Sequence, residues 1–261
     1  MATDLKDRVT LVTGAGGAIG SEICRQLRQR GARIAMVDID AAALERIRHE
    51  LDAAGDAESF VVDLTDDEAV GRLVEDVRGR FGSLDILINN AGARQVKPLL
   101  EIDGDEWRRT LDVDLTAPFV LAKAAIPGMI AQGGGKIVNI ASMAGLAAFR
   151  DRAAYSSAKA GLIMLTKVIA VEHGGDNIWC NAVAPGVVET PMTGAFFQSD
   201  DMTSSIRANT PMARWCQPDE IAAPVIFLAG SESSFVNGQV IAVDGGWTAG
   251  YVGAELSPRK R

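Results

Sequence analysis

Tyr155 and Lys159 stand four residues apart in the run Tyr155-Ser156-Ser157-Ala158-Lys159. The surrounding apolar spacing is helical, so this interval puts a phenol and an ammonium on one face, one turn apart. A phenol is a poor base at its reference pKa of ~10, but a neighbouring cation favours its ionised form. Such a pair can move a proton to and from a hydroxyl, the phenol as acid/base and the ammonium tuning it. Ser142 follows the short apolar run Lys136-Ile137-Val138-Asn139-Ile140 and offers a hydroxyl that can orient the same oxygen. Each also has a plain structural reading, because Tyr–Lys pairs decorate many helices and a Ser after a strand is often a cap.

A second group of residues suits an anion. Val9-Thr10-Leu11-Val12-Thr13 reads as a strand and runs into Gly14-Ala15-Gly16-Gly17-Ala18-Ile19-Gly20, where a helical pattern begins. Small residues at such a turn let the backbone approach a pyrophosphate, and the helix N-terminus supplies unpaired N–H groups and a positive dipole end. Gly14, Gly17, Ile19 and Gly20 are therefore candidates for binding a dinucleotide. Asp38 ends the second strand pattern, eighteen residues after Gly20. A carboxylate there accepts bonds from a ribose diol and repels a 2′-phosphate. No Arg or Lys lies within the turn or directly after Asp38, so NAD is expected over NADP. An oxidised nicotinamide would add a second positive charge beside Tyr155.

These residues need a scaffold, and the hydropathy pattern supplies one. Strand patterns at 9–13, 33–37, 58–62, 84–88, 136–140, 178–182 and 240–243 alternate with helical patterns at 18–30, 41–54, 67–81, 105–131 and 153–173. Apolar strands alternating with amphipathic helices predict an α/β fold: a Rossmann-like, doubly wound parallel sheet of about seven strands with helices on both faces. No linker, repeat or low-complexity tract interrupts the rhythm, so residues 1–261 are expected to form a single domain. The stretch from Pro191 to Pro218 exceeds the needs of a connection and is the expected substrate lid, about 191–218.

Composition narrows the function. The net charge of −8 argues against nucleic acid or an anionic membrane surface as partner, since phosphates need a basic footprint. Cys24, Cys180 and Cys216 are scattered, and His49 and His173 are the only histidines, so no metal site is expected. Neither an apolar signal core near Met1 nor an unbroken apolar run of membrane-span length (~20 residues) is visible, which makes the cytoplasm the expected compartment.

In combination these residues closely resemble the short-chain dehydrogenase/reductase family, over essentially the whole chain from Arg8 to Gly246. The marks are Thr13 to Gly20, Asp63 after the third strand, Asn89-Asn90-Ala91-Gly92 after the fourth, Ser142, the Tyr155/Lys159 pair, and Pro185-Gly186 leading to Thr190. The resemblance implies that Asp63 and Leu64 contact adenine and that Asn90 lies beside the cofactor ribose. It implies too that Lys159 bonds the nicotinamide ribose while tuning Tyr155, and that Val188 and Thr190 hold the carboxamide. Family members are commonly tetramers built through two long helices, which here are 105–131 and 153–173. Two positions depart from the family pattern. Ala18 replaces the middle glycine, a mild change. Asp114, in Asp112-Val113-Asp114-Leu115, replaces an asparagine that steadies a proton-relay water, and an ionised carboxylate only accepts hydrogen bonds.

The expected activity is reversible NAD-dependent oxidation of a secondary alcohol or sugar hydroxyl. Ser142 positions the oxygen, Tyr155 takes the proton, Lys159 tunes it, and Asp114 stands in the relay. Arg94, after the Asn89–Gly92 turn, and Arg152, one helical turn before Tyr155, suit bidentate recognition of an anion, with Arg150 close by. They point to a hydroxy acid or acidic sugar. The arrangement resembles that of the family's hydroxybutyrate dehydrogenases, although Ala144 and Phe196 lack the polar contacts of those enzymes. Solvated or subunit-bridging arginines are the plainer reading, and a neutral sugar or polyol would then be the substrate. A ketoacyl-carrier reductase would need a basic docking face, whereas Glu172 and Asp176 flank the end of the long helix. A binding protein without turnover would be expected to lack Tyr155 or Lys159.

Overall fold

The computed structural model describes residues 5–51, 55–194 and 198–250, with Met192 described by its backbone alone. Seven strands form one parallel sheet: β1 (Val9–Thr13), β2 (Arg33–Asp38), β3 (Ala57–Val61), β4 (Ile86–Asn89), β5 (Gly135–Ile140), β6 (Ile178–Pro185) and β7 (Val240–Val243). Their order is β3-β2-β1-β4-β5-β6-β7. The chain reverses direction across the sheet between β1 and β4, and a crevice opens at the carboxyl ends of those two strands, where open α/β sheets bind ligands.

Side-chain alternation assigns the two faces. Val12, Ile34, Met36, Ile86 and Ile88 point to a core shared with α1 (Ala18–Arg28), α2 (Ala41–Glu50) and a last helix, Pro218–Ala229. Leu11, Ala35, Val37, Leu87 and Ile137 point to the opposite core, against α3 (Asp67–Phe81), Ala117–Ala131 and Ala153–His173. Both faces are covered, which is why the central strands read as continuous apolar runs.

Three features differ from the sequence pattern. The single helix expected at 105–131 is α4 (Gly104–Leu111), a wide π turn (Asp112–Thr116) and α5 (Ala117–Ala131). Pro118 accounts for the break: it has no N–H for the Asp114 carbonyl, and its ring crowds that carbonyl. After α6 (Ala153–His173), the stretch expected as a lid holds a short turn (Pro191–Thr193) and α7 (Asp200–Asn209), while Val188 pairs with Cys216. Residues 195–197, Phe196 among them, lie outside the described residues. The third feature is α8 (Pro218–Ala229), which the sequence pattern did not show because Pro218 and Pro224 punctuate it; Pro218 occupies the first turn, where its missing N–H costs nothing.

Two helical stretches, Gly104–Ala131 and Ala153–Asp176, are long and apolar enough to cross a bilayer by length and composition, although no unbroken run suggested it. Their apolar character has a place in the fold, since Leu121, Ala125 and Met129 of α5 and Ile169 of α6 pack into the core beneath the sheet.

Candidate active site

At the carboxyl end of β1 the backbone turns through Gly14 with a φ of +63°, a conformation costly for any residue with a Cβ. A Cβ on Gly14 would lie 2.9 Å from the Ala91 Cα, and one on Gly20 would overlap the Gly14 carbonyl oxygen. The loop is thus pressed against the end of β4. Thr13 and Asn90 hold it there: the Thr13 hydroxyl accepts from the Asn90 and Ala91 N–H groups at 3.0 and 3.1 Å, and Asn90 Nδ2 donates to the Thr13 and Gly14 carbonyls.

The helix behind this loop is left open. Asp40, Asp66, Asp103 and Ser199 cap α2, α3, α4 and α7 with their side chains, but α1 begins at Gly17 with no side-chain cap and no acidic residue in its first turn. Its first N–H groups and positive dipole end therefore face the crevice. The Asp38 carboxylate accepts from the Gly16 N–H at 2.9 Å and from the Asp40 N–H at 3.1 Å, fixing a negative charge at the rim. A cradle of small residues, an uncapped helix end and a carboxylate beside them fit a dinucleotide's pyrophosphate and ribose. The Asp63 carboxylate is taken by the Thr65 N–H and hydroxyl, which shapes the turn leading to Leu64. Val188 is buried, and the Thr190 hydroxyl caps the Pro191–Thr193 turn.

Tyr155 and Lys159 lie on one face of α6, with the ammonium 5.7 Å from the phenol ring centroid. Lys159 is almost wholly buried. Its Nζ donates to the Ile140 carbonyl at the end of β5 at 2.9 Å, and it lies 2.9 Å from Asp114 Oδ1. The π turn carries Asp114 to this position, where its other oxygen accepts from the Ala93 N–H at 3.1 Å. Gly92 makes room for the pair, because a Cβ there would stand 2.9 Å from Asp114 Oδ1. Burial pushes the Asp114 carboxyl up from its ordinary value, and Lys159 opposes that rise. Burial pulls Lys159 down, but Asp114 and Tyr155 outweigh it and hold the ammonium charged. Ser142 is buried after β5, and its Oγ accepts from the Ala144 N–H at 3.1 Å.

Arg152 is held to the residue after Arg94, and the charges of both arginines act on this group. Arg152, the residue before α6, donates to the Gln95 carbonyl at 3.3 Å, and the Lys97 N–H donates to the Asp151 carbonyl at 3.0 Å. These bonds tie the segment after β4 to the start of α6. Burial pulls both guanidiniums down from their ordinary value; the charge of Arg94 lowers Arg152 further, and Tyr155 opposes the fall in each. Arg150 is exposed.

Residues 14–248 match the family model described as enoyl-(acyl carrier protein) reductase, one of the short-chain dehydrogenases/reductases. The chain is 41% identical to trans-4-hydroxycyclohexanecarboxylate dehydrogenase of Sinomonas cyclohexanicum, over 94% of each chain. It is 38% identical to the cis-4-hydroxycyclohexanecarboxylate dehydrogenase of the same organism, over 95% of this chain and all of that one. A Beutenbergia cavernae structure described as a candidate NAD(P)-dependent gluconate 5-dehydrogenase, with NADP bound at low occupancy, superposes with a TM-score of 0.90. It is 37% identical and covers 95% of this chain and 99% of that one. The chain belongs to the short-chain dehydrogenase/reductase family. It is an oxidoreductase acting on hydroxyl groups.

For a short-chain dehydrogenase/reductase the structure adds contacts that the motifs alone did not show. Thr13 pins the glycine loop to β4, Gly92 admits Asp114, and Gln95 anchors Arg152. Only the glycine in the Asn89–Gly92 turn left a signal in sequence, since a position that must lack a Cβ has one available residue type. The contacts of Thr13 and Gln95 depend on neighbours 77 and 57 residues away and left none.

Proposed function

We propose that this protein catalyses the reversible, NAD-dependent oxidation of a secondary alcohol that carries a negative charge, a hydroxy acid or acidic sugar. The observation that carries the reading is the bond from Arg152, one turn before Tyr155, to the carbonyl of Gln95, which brings it to the Arg94 segment and sets two positive charges close to Tyr155. Two crowded, half-buried guanidiniums destabilise one another, and a carboxylate between them relieves both costs while gaining charge-assisted bonds. The uncapped N-terminus of α6, with no acidic residue in its first turn, adds a positive dipole end at the same place. The two similar dehydrogenases are named for carboxylate substrates, and the similar structure for gluconate, which agrees with this charge.

Ser142 and Tyr155 receive the carbinol oxygen, and Tyr155 takes its proton. Lys159, kept cationic by Asp114, stands one turn from Tyr155 and reaches the nicotinamide ribose. What a bound nicotinamide supplies is the hydride acceptor. Gly14, Gly17, Ile19 and Gly20 cradle the pyrophosphate, while Asp63 and Leu64 face adenine. Asn90 lies by the ribose, and Val188 and Thr190 hold the carboxamide. The segment 191–218 closes over the substrate. Asp38 selects NAD because its carboxylate stands where a 2′-phosphate would lie. Two buried free thiols, Cys24 and Cys180, agree with a reducing cytoplasm. Exposed Phe119, Met164, Val168 and Val171 on the two long helices suit burial in a homotetramer.

The test is the appearance of reduced cofactor when the protein meets NAD or NADP and a panel of hydroxy acids, acidic sugars and neutral alcohols. NAD with an anionic alcohol should give the highest kcat/KM, by tenfold or more over NADP, a ratio worth about 1.4 kcal/mol. Asp38→Ala should narrow that ratio. Equal use of NADP overturns the cofactor assignment, and preference for a neutral polyol overturns the charge assignment.

A further inference from the structure

Two aromatic rings lie on the same rim as the arginines. Phe149 belongs to the segment between Ser142 and Arg152, and Trp247 follows β7 in Asp244-Gly245-Gly246-Trp247. Their ring centroids are 5.9 Å apart at 55°, so the pair bridges the loop after β5 and the turn after β7. Both loops leave the carboxyl edge of the sheet, as does the Tyr155 crevice. The turn that carries Trp247 is well fixed. The Asp244 carboxylate accepts from the Gly246 N–H at 2.9 Å and the Thr248 N–H at 2.8 Å, and a Cβ on Gly186 would meet the Asp244 Cα at 2.8 Å. The other loop is fixed through the Asp151 carbonyl, which accepts from the Lys97 N–H on the Arg94 segment.

The chemistry of this side is apolar. From Ala144 to Phe149 the chain runs Ala144-Gly145-Leu146-Ala147-Ala148-Phe149, without one polar side chain, and Leu146 is exposed. Several polar groups of the loops after β6 and β7 are already engaged. Glu189 accepts from Trp215 Nε1 at 2.9 Å and Gln217 Nε2 at 2.8 Å, Thr190 bonds Thr193, and Asp244 holds its own turn. Two buried polar atoms without a partner, Gln95 Oε1 and Ser156 Oγ, belong to the arginine and tyrosine segments and not to the aromatic one. An acidic sugar would set several hydroxyls against a surface whose one side-chain donor is the Trp247 indole N–H, and most of those hydroxyls would lose their water without replacement. A hydrocarbon body would gain burial against the rings.

We propose that the substrate is a hydroxy acid with an apolar body, its carboxylate between Arg94 and Arg152 and a hydrocarbon ring or branched chain against Phe149 and Trp247. The proposal rests on the anionic reading above and divides the two anionic classes that reading admits. The experiment compares kcat/KM for a hydroxylated cyclohexanecarboxylate, an aldonic acid of similar size, and cyclohexanol. The ring acid should exceed the aldonic acid at least tenfold and exceed cyclohexanol at least tenfold. Phe149→Ala and Trp247→Ala should each raise KM for the ring acid at least fivefold while NAD affinity stays within twofold. Cyclohexanecarboxylate, which has no hydroxyl, should inhibit wild-type protein competitively and better than an aldonic acid that is not turned over, a measurement that needs no variant. An aldonic acid equal to or better than the ring acid overturns the apolar body and leaves the anionic site standing. Cyclohexanol equal to the ring acid overturns the anionic site itself.

Discussion

Strand β5 is met by a lysine ammonium at each end, and the protein treats the two in opposite ways. At its carboxyl end Lys159 donates to the Ile140 carbonyl, pairs with buried Asp114 and is held charged in spite of its burial. At its amino end Lys136 donates to the Ser233 hydroxyl at 2.8 Å and lies 5.0 Å from the Trp179 ring centroid. Burial pulls it down to about 8, with only a partial correction from Glu232. A carboxylate brought by a distorted helix preserves a buried cation; a hydroxyl and an indole do not. The difference separates the end of the sheet to which the proposed mechanism assigns proton transfer from the end to which it assigns no chemistry.

Tyr155→Phe probes the chemical end with the largest expected effect. Turnover should fall by about 10²–10⁴-fold with NAD affinity little changed, as befits a group that acts in proton transfer. Activity within tenfold of wild type would remove Tyr155 from the mechanism. Asp114→Asn sharpens the contrast between the lysines. Without its carboxylate partner, Lys159 keeps only Tyr155 to oppose the burial that pulls it down, so it should lose its proton at lower pH. The alkaline limb of the kcat/KM profile should move to lower pH, with a modest loss of rate at neutrality. An unmoved limb would mean that Asp114 does not hold Lys159 for catalysis.

The smallest effect is expected at the other end of β5. Lys136→Met should leave kcat/KM unchanged within twofold, and its signature lies in stability. The folded chain binds the Lys136 proton less tightly than the unfolded chain, so stability should rise with pH from about 8 towards the ordinary value of 10.5. Denaturant midpoints measured across that window should show the rise in wild-type protein and a shallower one in Lys136→Met. Equal slopes would place the lysine's titration elsewhere.

How far the sequence revealed these regions follows from the range of the forces involved. The strand and helix patterns, the glycine turn, Asp38, and the Tyr155/Lys159 spacing are local, and local periodicity carries them. β1 and α6 occupy 9–13 and 153–173 as the pattern predicts. The π turn left a trace only in Pro118, whose effect falls four residues earlier on Asp114. Helix α8 was hidden because its prolines weaken the helical signal, while its packing on α1 through Ile221 and Val225 is tertiary. Arg94 and Arg152 could be named from sequence as candidates, but their approach depends on the Arg152–Gln95 and Lys97–Asp151 bonds across more than fifty residues. The Phe149–Trp247 pair spans nearly a hundred residues and left no sequence signal at all.

The most direct test of the account is the charge preference of wild-type and Arg152→Ala protein. The quantity to measure is kcat/KM with NAD for one hydroxy acid and for its uncharged amide. Wild-type protein should favour the acid, and Arg152→Ala should lower kcat/KM for the acid at least tenfold, chiefly through KM, with the amide changed less than threefold. Equal losses for acid and amide, or no loss for either, would contradict an anion-binding site at Arg94 and Arg152.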